Sequence, residues 1–174
     1  MRRLLLVCLW AGILTAQDAE KLAPYYPTPE TIVRQMLQLS GLKAGEKLFD
    51  LGSGDGRIVI MAAQKFRANA VGVELDKDLA RLSTEKIGKL GLGKTAHIIN
   101  GDLLKEDYSS ADVVAVYLFP GFIDKVQPLL DAQIKKGARV VSHDFEFKNW
   151  TPEKVLNIAD DGEGRSHTLY LYRK

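Results

Sequence analysis

Lys47-Leu48-Phe49-Asp50-Leu51-Gly52-Ser53-Gly54-Asp55-Gly56 decides the fold of this chain. An apolar run ends in an acid and a glycine-rich turn, and Arg57-Ile58-Val59-Ile60-Met61-Ala62-Ala63 follows. The pattern predicts a buried strand, a tight turn and a helix that starts beneath the turn. Glycine allows positive φ and close approach of the backbone to a ligand. The first turn of the helix presents amide groups that suit an anion. Together these describe a nucleotide-type cofactor site on a doubly wound α/β sheet.

The glycines stand at 52, 54 and 56. The dinucleotide fingerprint G-x-G-x-x-G would need its third glycine at position 57, which is Arg57. A nicotinamide dehydrogenase is therefore disfavoured. Further along, Ala70-Val71-Gly72-Val73-Glu74-Leu75 reads as a second buried strand ending in Glu74, an acid at the distance expected to receive ribose hydroxyls. Ala96-His97-Ile98-Ile99-Asn100 is a third strand, followed by Gly101-Asp102-Leu103. Three acids thus close three successive strands: Asp50, Glu74 and Asp102.

This arrangement resembles the class I S-adenosylmethionine (SAM) methyltransferases. The resemblance implies that Asp50 handles the methionine ammonium group and that Gly52, Ser53, Gly54 and Gly56 wrap the cofactor. It also implies that Glu74 holds the ribose, and that Asp102 and the Leu103 amide meet the adenine. The fold it implies is a Rossmann-like seven-stranded sheet, mostly parallel, with a C-terminal antiparallel hairpin.

The remaining chain agrees with that layout. Residues 112–120 form a fourth strand with an aromatic exit, Tyr117-Leu118-Phe119-Pro120. A helix over 122–135 follows, kinked or restarted at Pro128. Residues 138–142 make a fifth strand, and 155–158 with 168–172 a closing hairpin. Near the start, Thr28 is a helix cap before Pro29, and Ile32, Val33, Met36 and Leu37 form one apolar face. Asp76 caps a helix whose expected buried face is Leu79, Leu82, Ile87 and Leu90.

The stretch 26–29, the glycine turn, 117–120, 139–142 and Trp150 narrow the resemblance. They are similar to the mitochondrial protein-lysine methyltransferases of the adenine nucleotide carrier and the ATP synthase c-subunit, a family with bacterial relatives. That implies a protein-lysine acceptor, with Tyr117 and His143 as candidate catalytic residues and Tyr26 and Phe119 as candidate acceptor-binding walls. A non-catalytic SAM- or nucleoside-binding regulatory module and a small-molecule methyltransferase are the alternatives.

A chain of 174 residues with 46% hydrophobic composition has one sizeable core and no room for a separate substrate domain. Arg2-Arg3, the apolar run 4–14 and a small residue before Gln17 resemble a signal peptide or membrane-targeting segment over 1–16, ahead of a methyltransferase domain over 17–174. The expected location is therefore exported (periplasmic) or membrane-attached, with a protein substrate that could itself be membrane-associated. The formal net charge of +2 falls to zero without Arg2 and Arg3, which argues against nucleic acid as a partner. The three histidines are scattered and the one cysteine stands alone, so no metal site is expected. Connections over 103–111 and 143–152 look too short for helices, so one sheet face is expected either to be thinly covered and open for docking or to be covered by the loop residues Phe145, Phe147 and Trp150.

Overall fold

The computed structural model describes residues 26–174. The segment expected over 1–16 and the first residues of the domain expected over 17–174 lie outside the described residues. The elements run α1 (Glu30–Leu39), β1 (Lys47–Leu51), α2 (Arg57–Phe66), β2 (Asn69–Glu74), α3 (Lys77–Lys89), β3 (Ala96–Asn100), β4 (Val113–Val116), α4 (Pro120–Gln133), β5 (Arg139–His143), β6 (Lys154–Ile158) and β7 (His167–Arg173). One seven-stranded sheet has the order β3-β2-β1-β4-β5-β7-β6. β1 to β5 are parallel, and β7 joins β5 and β6 antiparallel. The chain order reverses beside β1, between β2 and β4, which is where such sheets open a crevice for a ligand.

α1, α2 and α3 cover one face through Ile32, Met36, Val59 and Ile87. α4 covers the other through Ile123, Val126 and Leu130. Strands buried on both faces read as continuous apolar runs, as β4 does with Val-Val-Ala-Val wholly buried.

Several expectations need correction. Thr28 does not cap α1. Pro29 holds that position, and the Thr28 hydroxyl pairs with His143 Nδ1 at 3.2 Å. α4 begins at Pro120, in the favoured first-turn position, and runs unbroken through Pro128. The buried face of α3 is Ala80, Ser83 and Ile87, whereas Leu82 and Leu90 are exposed. Its small residues are needed because α3 crosses close to the glycine turn: a Cβ placed on Gly56 would lie 3.0 Å from Ser83 Cβ.

Of the two expectations for the thinly covered face, loop cover is the one observed: its own short connections fill it. Tyr108 is wholly buried, meets Phe49 edge-on at 5.2 Å and donates its hydroxyl to Leu103 O at 2.6 Å. Phe147 stacks on Trp150 at 4.6 Å and meets Tyr172 at 5.4 Å. Aromatic side chains on loops occupy the volume that helices would otherwise fill.

Candidate cofactor and acceptor site

Asp50 lies one residue before the end of β1, paired across the sheet with Gly72 of β2 and Ala115 of β4. Paired residues on parallel strands point to the same face, so two very small neighbours leave space around this carboxyl. Asp50 is 2% exposed, and its Oδ2 has no hydrogen-bond partner. Burial, then the nearby Glu74 and Asp55 charges, push its pKa up to about 8. Ser53 Oγ is likewise buried and without a partner. An unpaired buried polar atom is costly, so two of them in one turn mark a surface shaped for something polar that completes it.

The glycine turn leaves β1 with Gly52, Gly54 and Gly56 all at positive φ (77°, 53° and 75°). Such values strain any residue with a Cβ. The turn is fixed from below. The Gly52 and Ser53 amides donate to Val73 O at 2.9 and 3.0 Å. Gly72 makes that approach possible, since a Cβ there would lie 2.5 Å from Ser53 Oγ. A glycine inside a strand is the sequence signal of such a crossing, and Gly72 carries it.

Glu74 is buried at the end of β2. Its Oε2 accepts from the Gly54 amide at 2.7 Å and its Oε1 from the Asp76 amide at 2.9 Å. Each carboxylate oxygen keeps a second lone pair, so the group can hold the turn and accept two ribose hydroxyls together. Asp102, two residues past β3, accepts from the Leu104 amide at 2.9 Å and pairs with Lys105 at 3.5 Å. The three acids therefore line one rim of three adjacent strands, as the sequence predicts. The residues present fit SAM: a buried carboxyl for an ammonium, a second carboxylate for a diol, a third for an amine edge.

Arg57 has a role that its place in the sequence does not announce. Its guanidinium grips both Asp55 oxygens at 2.9 Å and donates to Thr28 O at 2.8 Å. Burial would raise the Asp55 pKa, but the Arg57 hydrogen bonds and charge hold it below the ordinary range. The segment 26–29 is thereby tied to the glycine turn.

The acceptor candidates sit at the same rim beyond β1. Tyr117 leaves β4, and its ring lies 4.0 Å from the His143 ring and 6.3 Å from Phe145. Burial, then the Asp144 charge, raises the Tyr117 pKa, so its phenol stays protonated. Phe119 is 45% exposed and meets Phe145 at 5.8 Å. The exposed Tyr26 receives a hydrogen bond from Arg165 at 2.9 Å. A groove of about 600 Å³ runs along Tyr26, Pro29, Arg57, Asp161, Glu163 and Arg165 and includes none of the three strand-end acids.

His143 has no exposed surface, and burial pushes its pKa down to about 4 against the opposing pull of Asp144. It stands behind Tyr117 and cannot touch an acceptor. Two of the three histidines are not scattered: His143 and His167 are 2.9 Å apart, Nε2 to Nδ1, with Asp144 beside them, while His97 stays apart on β3. No sequence signal announces that cluster, because its members are 24 residues apart in the chain.

Residues 50–154 match the ANTKMT methyltransferase domain. The chain is 40% identical over 150 residues to a protein-lysine N-methyltransferase of Saccharolobus islandicus, covering 86% of this chain and 92% of that one. It is 32% identical over 138 residues to the human lysine N-methyltransferase of the ATP synthase c-subunit, covering 79% of this chain but 58% of that longer protein. Among solved structures, an RNA methyltransferase of Salinibacter ruber bound to S-adenosyl-L-homocysteine superposes with a TM-score of 0.79 at 38% identity, covering 85% of this chain and 93% of that one. Matching residues, fold and site together, this chain belongs to the ANTKMT methyltransferase family.

Proposed function

We propose that the chain binds SAM across the ends of β1, β2 and β3 and delivers its methyl group to a lysine side chain of another protein. The observation that carries this reading is the buried pair of partnerless atoms, Asp50 Oδ2 and Ser53 Oγ, inside the glycine turn. The lysine acceptor is supported by the Saccharolobus and human relatives.

When bound, SAM supplies an activated methyl group, and the chain supplies position and dryness. Asp50 would hold the ammonium group, Glu74 the ribose hydroxyls, and Asp102 with the Leu103 amide the adenine edge. Tyr117, Phe119 and Tyr26 form the acceptor wall. A lysine must lose a proton to solvent before its nitrogen can attack in line, and burial among aromatic rings favours that neutral amine. The phenol oxygen of Tyr117 can accept an N–H of that amine, which leaves the nitrogen lone pair free to attack. His143, fixed by Thr28 and His167, holds the Tyr117 ring in place.

Incubation of the purified chain with methyl-tritiated SAM and a cell extract tests the proposal. The expected product is tritiated methyl-lysine in acid hydrolysates of protein. Label removed by ribonuclease would instead support RNA, the substrate class named for the Salinibacter relative. Label confined to small molecules, or SAM binding with no transfer at all, would also overturn the lysine reading.

The basic start and apolar run of residues 1–16 further support an export or membrane-targeting role, and with it a protein substrate at or beyond the membrane. Fractionation of cells expressing the full chain tests this. Recovery as a soluble cytoplasmic protein that retains residues 1–16 would refute it.

A further inference from the structure

Away from the cofactor rim, the buried polar groups Thr28, His143, Asp161 and His167 converge on one point. His143 ends β5, Asp144 follows it, and His167 begins the antiparallel neighbour β7. His143 Nε2 is 2.9 Å from His167 Nδ1, His167 Nδ1 is 3.1 Å from Asp144 Oδ2, and His143 Nε2 is 3.3 Å from Asp144 Oδ2. Three ligand-type atoms thus form a nearly equilateral triangle.

Hydrogen bonds fill this triangle poorly. His167 Nε2 faces Asp161 Oδ2 at 3.2 Å. A carboxylate only accepts, so that nitrogen carries a hydrogen, and in the tautomer with a single ring hydrogen Nδ1 is a bare lone pair. That lone pair faces the carboxylate oxygen of Asp144. A single hydrogen on His143 Nε2 cannot lie along all three edges.

A metal cation can serve all three atoms. At about 2.1 Å from each, it would sit about 1 Å off their plane, with ligand–metal–ligand angles of about 87–104°. Those angles lie near octahedral values at one end and approach tetrahedral ones at the other. The outer partners are also of the right kind. Metal-bound histidines usually have their second nitrogen held by a carboxylate or another polar group, and here Asp161 and Thr28 hold those of His167 and His143. Asp144 adopts φ 58°, a left-handed value uncommon outside glycine. Its Oδ1 is taken by the Thr168 amide at 2.9 Å, which leaves Oδ2 for the two rings. The Asp144 side chain is 27% exposed, which gives solvent access to an otherwise buried cluster.

We propose that His143, Asp144 and His167 bind one divalent transition-metal cation, zinc or a close neighbour, with at least one coordination position left for water or another ligand. Two imidazoles and one carboxylate select this class over magnesium and calcium, which prefer all-oxygen shells. The cation ties the end of β5 to the start of β7. It lies behind the Tyr117 ring on one side and is joined to Tyr26 through Asp161 and Arg165 on the other.

The untagged full chain, stripped with a chelator and titrated with zinc chloride or cobalt chloride, tests the site without any methyl transfer. One equivalent should bind. At a hundredfold excess over Kd the melting temperature should rise by roughly 5–10 °C. Asp144→Asn keeps the size and the tolerance of positive φ, and should weaken Kd at least tenfold. His167→Gln should abolish stoichiometric uptake; should that variant not fold, Asp144→Asn decides the matter. Absence of stoichiometric uptake of either metal by the wild-type chain overturns the proposal, and the cluster then holds a proton instead. Unchanged uptake by folded Asp144→Asn overturns it equally.

Discussion

The β1–β2–β3 half of the rim and the β4–β5–β7 half carry polar groups in opposite states. At the first, Asp50 Oδ2 and Ser53 Oγ are buried without partners, and a carboxyl is held near pKa 8 by burial and like charge. At the second, Thr28, His143, His167, Asp144, Asp161, Arg165 and Tyr26 form a continuous chain of contacts. Unsatisfied buried groups cost free energy until a ligand arrives, so the first half is built to be completed by a small molecule. Groups already linked to one another around the His143–Asp144–His167 triangle hold their own geometry, so the second half is a preformed wall against which an acceptor can be placed. The comparison predicts that substitutions in the first half act on cofactor affinity and those in the second act on turnover.

The largest effect should come from Asp50→Asn. Removing a buried charge from its ammonium partner is expected to weaken SAM binding by about 3–5 kcal/mol. Calorimetry on the folded variant checks this, and affinity within a factor of ten of wild type would break the assignment. Glu74→Ala comes next. It removes the acceptor for two hydroxyls, about 2–3 kcal/mol of SAM affinity. It also removes an acceptor from each of the Gly54 and Asp76 amides, so the cofactor-free domain should melt earlier as well. Unchanged SAM affinity in this variant would remove Glu74 from the site.

The same contrast explains what the sequence can reveal. The first half is local: strand, turn and helix follow one another over residues 47–66, and each acid ends its own apolar run. Glycine spacing and strand-end acids are short-range patterns, so the site and its fold are legible together. The second half is assembled from positions 26, 28, 117, 143, 144, 161, 165 and 167, brought together by the pairing of β5 with β4 and β7 and by long-range side-chain contacts. Thr28 illustrates the difficulty. Its place before Pro29 satisfies every local rule for a helix cap, yet its hydroxyl serves a histidine 115 residues away. Hydrophobicity misleads at α3 for a related reason. Helical spacing points its leucines inward, while the close crossing over Gly56 requires Ala80 and Ser83 there. Short connections also look like open surface until Tyr108, Phe147 and Trp150 are seen to fill it.

Tyr117→Ala sharpens the comparison from the other side. The Tyr117 ring packs on His143 and Phe145, both on the β5 side of the rim. SAM affinity should stay within about twofold of wild type, while turnover falls roughly tenfold to a hundredfold through lost positioning of the acceptor. Steady-state kinetics with a separate binding measurement distinguish the two. Equal losses in both would mean that the halves are not independent.

The smallest effect is a pH dependence of SAM affinity whose acid limb belongs to Asp50. Its carboxyl has a folded-state pKa of about 8 against an ordinary 3.8, because burial and then the Glu74 charge oppose ionisation. At neutral pH the cofactor-free protein therefore carries a proton there. An incoming ammonium needs the carboxylate, so binding must expel that proton below about pH 8. From pH 7 to pH 6 the affinity should drop close to tenfold, about 1.4 kcal/mol. Above pH 8 the α-amino group of SAM loses its own proton, near 7.7–8.0 in general, so affinity should peak around pH 8 and fall again. The folded state holds a proton that the unfolded chain has released, so the stability of the cofactor-free domain should decline as pH rises from about 4 to about 8. Asp50→Asn should remove the acid limb of the binding profile and flatten that decline. A wild-type affinity independent of pH between 6 and 8 would show that Asp50 is already ionised, and that the first half is less unsatisfied than its geometry indicates.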